Sequence, residues 1–187
     1  MFLPEPLFDA SFTTAALGCA AVAFGCWLLS VVTREYSWVD RLWSVVPALY
    51  IGWFASASGW APRVVLMTVL ATLWAARLTF NFARKGGYAK GGEDYRWAIL
   101  RSRMSPAVYQ VFNIFFIAGY QNLLLFMLSW PAWVALRAPQ SALGAADIVS
   151  ALLFLALLAG ETIADQQQWN FHKQKKAGAT LPEPFCT

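Results

Sequence analysis

An all-α, polytopic membrane helix bundle is the fold class that this sequence predicts, and three observations carry it. Of 187 residues, 59% are hydrophobic and 13% charged, with a mean hydropathy of +0.50, whereas soluble domains carry about 25% charged residues. Five apolar segments approach the roughly 20 residues that a helix needs to cross a bilayer. Lysine and arginine gather on one side of those segments. The chain reads as a single membrane domain over residues 1–187, in contact with lipid. The expected setting is a bacterial inner membrane.

The first segment, residues 11–32, carries no charge. The second, residues 42–60, contains Pro47, a kink that neighbouring helices tolerate. The third, residues 64–82, holds Arg77. The fourth runs over residues 106–130, with Ser105 placed to cap it and Pro106 suited to its first turn. The fifth covers residues 146–165.

With the N-terminus outside and the C-terminus cytoplasmic, the inner side receives Arg34, Arg41, Arg84, Lys85, Lys90, Arg96, Arg101, Arg103, Lys173, Lys175 and Lys176, and the outer side only Arg63 and Arg137. Such asymmetry sets orientation in membrane proteins. Trp38, Trp43, Trp97 and Trp169 then fall at the inner interface, and Trp60, Trp130 and Trp133 at the outer one. A cysteine placed at position 90 should therefore react with an impermeant maleimide only from the cytoplasmic side. Labelling from outside intact cells overturns this topology.

The net charge of +4 is spent at membrane boundaries, with no basic face of interleaved aromatics, so nucleic acid is not an expected partner. Cys19 and Cys26 stand two turns apart on one helix, about 10 Å of rise, too far to bridge. Cys186 is isolated, and His172 has no Cys–His cluster around it, so no metal site is expected. The N-terminus lacks the basic start of a cleavable signal peptide.

The stretch "RLTFNFARKGGYAKGGEDYRW" stands apart from its apolar surroundings. Arg77, Asn81 and Arg84 follow i, i+4, i+7 and share one helix face. An arginine within a span either snorkels to the interface or belongs to a buried polar site. Glu161, Asp165 and Gln168 repeat that spacing at the inner end of the fifth segment. The two stripes either form an interhelical clamp or border one cavity open to the cytoplasm. Gln110, Asn113, Tyr120 and Gln121 share an arc of the fourth helix and face the same cavity or make ordinary interhelical bonds. The glycines of "KGGYAKGG" make a flexible loop or, beside Arg84, Lys85 and Lys90, a phosphate site with accessible amides. Asp40 suits a helix N-terminus. His172 reads as an interfacial residue.

The blocks "VDRLWSVVP", "LWAARLTFNFARKGGYAKGGEDYRW" and "ETIADQQQWNFHKQKK" resemble the DUF1295 membrane proteins, relatives of steroid 5-alpha-reductases. The resemblance runs from Asp40 onward. It implies an all-helical, NADPH-dependent reductase of an activated carbon–carbon double bond in a lipid-like or steroid-like small molecule. It also implies cofactor contacts from Glu161 and Asp165 with Gln168, and from Arg77 and Asn81 with Arg84 and Lys85. Tyr88, Tyr95 and Tyr120 stay unranked as proton donors, and the catalytic residues are unassigned. The family pattern continues with a Gly-Leu-Phe-Arg-Tyr segment, an Arg-His-Pro-Asn run and further helices, so weak NADPH binding is expected of residues 1–187 alone. Two other readings stand beside this one: a methyltransferase like the isoprenylcysteine methyltransferases, using S-adenosylmethionine, and a non-enzymatic membrane subunit.

Overall fold

The computed structural model describes residues 8–138 and 142–176, which are helices and their connections with no strand among them. The expectations for the N-terminal residues and for Cys186 fall outside that set. The chain divides into two compact units, Met1–Gly144 and Ala145–Thr187.

In the first unit, α1 (Ala10–Thr33) begins at Asp9, whose side chain accepts the Phe12 N–H at 2.8 Å. It ends at Arg34, which takes a left-handed conformation with φ 57°. The second apolar segment is broken into α2 (Trp38–Leu42) and α3 (Val45–Ala57). Pro47 explains the break. It lacks an N–H and its ring crowds the carbonyl four residues back, at Trp43, so a helix cannot run continuously through both. Starting α3 at Val45 puts Pro47 in the first turn, where the missing N–H costs nothing. With 13 residues, α3 is about 20 Å long at 1.5 Å per residue.

The membrane-bundle fold class therefore stands, and among the described residues four helices rather than about five are long and apolar enough to cross a bilayer: Ala10–Thr33, Pro62–Arg84, Pro106–Arg137 and Ala145–Lys175. These make the chain an integral membrane protein.

The helix α4 (Pro62–Arg84) runs antiparallel along α3, as Thr68 lies against Gly52 while Thr79 shares a 2.7 Å hydrogen bond with Ser44. A loop then leads to α5 (Tyr95–Arg103), capped by Asp94. The cap expected at Ser105 is present: its hydroxyl accepts the Val108 N–H at 3.4 Å and opens α6 (Pro106–Phe112). The same span continues through a π-helical segment (Asn113–Tyr120) into α7 (Gln121–Met127) and α8 (Trp130–Arg137).

The core of this unit has two clusters. One gathers Phe12, Tyr50, Phe54, Phe126 and Trp133, near the end where Trp133 Nε1 donates to Asp9 at 3.4 Å. The other gathers Tyr36, Val39, Trp97, Tyr109, Ile117 and Leu125 at the α1–α2 junction. Between spans, Asn113 Nδ2 donates to Ser30 Oγ at 2.8 Å, the kind of interhelical polar contact that binds helices in an apolar medium. The second unit holds α9 (Ala145–Lys176), one continuous helix on which Glu161, Asp165 and Gln168 share a face by their spacing.

Candidate functional site

The α4–α5 loop, residues 85–94, is fastened to the α1–α2 connection along its whole length. Arg41 reaches Glu35 Oε2 through Nη2 at 2.8 Å and the Gly87 carbonyl through Nε at 3.3 Å. The Tyr88 hydroxyl donates to the Arg41 carbonyl at 2.9 Å, and the Gly91 N–H reaches Glu35 Oε1 at 3.5 Å. Glu93 accepts the Tyr36 N–H at 2.6 Å, and the Asp94 N–H donates to Ser37 Oγ at 2.9 Å. Trp97 Nε1 donates to Asp40 Oδ2 at 2.9 Å. The loop thus packs against that connection through hydrogen bonds at Gly87, Tyr88, Gly91, Glu93 and Asp94.

Its glycines serve that packing. Gly86 has φ +87°, where a side chain is strained, and a Cβ on Gly92 would collide with the Gly86 carbonyl. The amides expected to be accessible are engaged: Gly86 donates to Ala83 O at 3.0 Å, Gly87 to Phe82 O at 3.1 Å and Gly92 to Ala89 O at 2.9 Å. Anion binding here falls to side chains, not to the backbone.

Two carboxylates of this region are held below their ordinary range. Glu35 is lowered chiefly by the Arg41 hydrogen bond. Asp94 is lowered chiefly by Arg96, which grips both its oxygens at 2.8 Å. A depressed folded-state pKa stabilises above the unfolded value, about 4.3 for Glu and 3.9 for Asp, and that stabilisation disappears as pH falls through the folded value. The loop should hence resist proteolysis unchanged from pH 7 to about 5 and become cleavable only in stronger acid, below those unfolded values. Loss of protection at pH 6 would contradict it.

The loop, the α2 residues, the last turns of α4 and the π-helical segment border an open cavity of about 910 Å³. Trp43, Leu78, Phe82, Phe116 and Leu124 give it apolar and aromatic walls; Ser37, Asp40, Lys85, Glu93, Asp94, Arg96, Tyr95, Tyr120 and Gln121 give it polar groups. Polar groups converging within a cleft of this size that also has apolar and aromatic walls make it the candidate ligand site.

Of the residues expected to bind a cofactor, Lys85 lines the cavity. Asn81 is buried and accepts from Arg84 Nε at 2.8 Å, and the Arg84 guanidinium sits 5.5 Å from the Phe80 ring. With Arg77 they keep the shared face read from the sequence, outside the cavity lining. Glu161, Asp165 and Gln168 belong to the other unit. The arc on the fourth span divides: Gln110 Nε2 donates to the Tyr36 hydroxyl at 3.2 Å and Asn113 to Ser30, while Tyr120 and Gln121 reach the cavity. Asp40, Glu93 and Ser37 were not singled out as site residues from the sequence. Their partners lie 57 positions away, so no local spacing signals them.

The family model described as "Protein of unknown function (DUF1295)" matches residues 26–183. An uncharacterized protein of the fission yeast Schizosaccharomyces pombe is 39% identical over 167 residues, covering 85% of this chain and 48% of its own length. The chain thus spans about half the length of that relative, whose eukaryotic source gives no support to a bacterial inner membrane. No solved structure matches.

Proposed function

This chain belongs to the DUF1295 family, and from that premise we propose that it acts as a membrane-embedded, NADPH-dependent reductase of an activated carbon–carbon double bond in a lipid-like molecule. One observation carries the reading: a cavity of about 910 Å³ joins the charged loop to the apolar spans, with aromatic walls and the tyrosines Tyr95 and Tyr120 in its lining.

The residues present fit the cofactor in part by part fashion. Trp43, Phe82 and Phe116 offer faces for a planar ring, and Asp40 and Glu93 offer acceptors for amide and hydroxyl donors. Lys85 offers the cation for a phosphate, with Arg84 beside it in sequence. When bound, NADPH supplies the hydride for one carbon of the double bond. The chain supplies the rest: Tyr120 Oη holds the proton for the other carbon, and the aromatic walls flank the reacting bond.

Lys85→Ala should weaken NADPH binding about tenfold, within the range for a hydrogen bond to a charged group. Energy transfer from cavity tryptophans to bound NADPH, in detergent-purified protein, measures it. No transfer in the wild type, or an unchanged affinity in the variant, counts against the reading.

A methyltransferase reading keeps one specific support. Three carboxylates, Asp40, Glu93 and Asp94, face two cations, Lys85 and Arg96, in the cavity lining. An acidic, aromatic-walled site suits a cationic ligand such as the sulfonium of S-adenosylmethionine. Competition between the two cofactors in the same fluorescence assay separates the readings.

A further inference from the structure

Eight polar side chains are buried among the described residues: Ser30, Ser37, Ser44, Asn81, Asn113, Gln121, Asn122 and Ser129. Seven take part in hydrogen bonds. Ser30 joins Asn113, Ser44 joins Thr79 and Asn81 accepts from Arg84. Ser37 accepts from Asp94, while Asn122 and Ser129 donate to backbone carbonyls. The exception is Gln121, only 8% exposed, whose amide makes no hydrogen bond within the protein and lines the cavity.

Its amide nitrogen and oxygen keep access to the open space of the cavity, and a ligand that fills this space without pairing them would leave them buried and unpaired, at a cost in binding free energy. Its position has a backbone cause. The π-helical segment ends at Gln121, whose N–H reaches back five residues to the Phe116 carbonyl. Such a widened turn shifts the side chains after it around the helix axis, and such bulges are frequent at functional sites. The surroundings are apolar: Phe116 and Leu124 line the same cavity.

We propose that Gln121 is a substrate-recognition residue, its amide N–H donating to the carbonyl oxygen that conjugates with the double bond. The reductase reading itself supplies the α,β-unsaturated carbonyl; what the cavity adds is the residue that pairs its oxygen. This rests on the reductase reading for the reaction, but the binding event can be measured without it. A site built around one buried hydrogen-bonding group rejects the analogue that lacks the matching atom, because that group then stays unpaired.

The test uses the full chain in detergent with three probes of equal tail length: an alkyl-substituted cyclohexenone, the saturated cyclohexanone and the alkylcyclohexane. Quenching of tryptophan fluorescence reports binding. Wild-type protein should bind both ketones about tenfold more tightly than the hydrocarbon. Gln121→Met, near in volume and without the amide, should lose that preference while keeping or raising the Tm. Gln121→Asn gives a second variant that keeps an amide one methylene shorter and should retain part of the preference. A lower Tm in Gln121→Met together with an unchanged ketone preference makes the amide structural and overturns the proposal, as does a wild type that binds all three probes equally. Ketone selectivity lost in Gln121→Met without any NADPH oxidation upholds the recognition role and removes the reductase. NADPH oxidation with the enone at wild-type KM in Gln121→Met does the reverse.

Discussion

Tyr120→Phe should lower kcat for reduction of a tailed cyclohexenone about a hundredfold with little change in the KM for NADPH, since positioned general acids contribute 10²–10⁴-fold. The structure separates the three tyrosines that the sequence leaves equal. The Tyr88 hydroxyl is committed to the Arg41 carbonyl at 2.9 Å. Tyr95 lines the cavity from the loop side but is 73% exposed. Tyr120, 48% exposed, lines the cavity from within a span, its ring stacked on Phe116 with centroids 5.6 Å apart. Phenylalanine keeps that stacking and removes only the hydroxyl, so the variant isolates the proton. An unchanged kcat removes Tyr120 from the chemistry, and an equal loss of NADPH affinity would mean that the substitution disturbed the cavity.

Gly92→Ala should destabilise the protein by about 3 kcal/mol, the upper end for overpacking. The added methyl meets the Gly86 and Ala89 carbonyls, which are backbone and cannot rotate away. Gly91→Ala is the control. It has φ +79° and open space around it, so it should cost only the backbone strain of about 1–2 kcal/mol. Thermal unfolding in detergent, with the loop followed by limited proteolysis, compares the two. Equal Tm values for both variants would mean that the loop has room at Gly92.

What the sequence made legible was local. The Ser105 cap, the Pro106 start and the span of α4 follow from neighbours within a turn, and they stand as read. The kink expected at Pro47 is present as the short interruption between α2 and α3, where Trp43 and Ser44 keep right-handed helical dihedrals. The polar arc of Gln110, Asn113, Tyr120 and Gln121 was drawn on a wheel of 3.6 residues per turn. The π-helical segment violates that period, so the arc divides into a packing half and a cavity half. The fastening of the loop was invisible for a different reason: Glu35, Asp40 and Arg41 meet partners some 50 positions later, and sequence distance carries no mark of it. Arg77, Asn81 and Arg84 keep their common face, and their proposed meeting with Glu161, Asp165 and Gln168 remains a proposal.

The shortness of α3 has a bearing on depth. A hydrocarbon layer is about 30 Å thick and thirteen helical residues cover about 20 Å of it, whereas α1 has 24 residues. If α3 starts level with its neighbours at the Ala57 end, it stops roughly 10 Å short at the other. After an interruption at Trp43 and Ser44, both in right-handed helical conformation, α2 covers the difference, so Asp40, Ser44 and the loop facing them stand at that interruption. On the reductase reading proposed above, it is there that a molecule dissolved in the bilayer would meet a soluble cofactor without leaving its own phase.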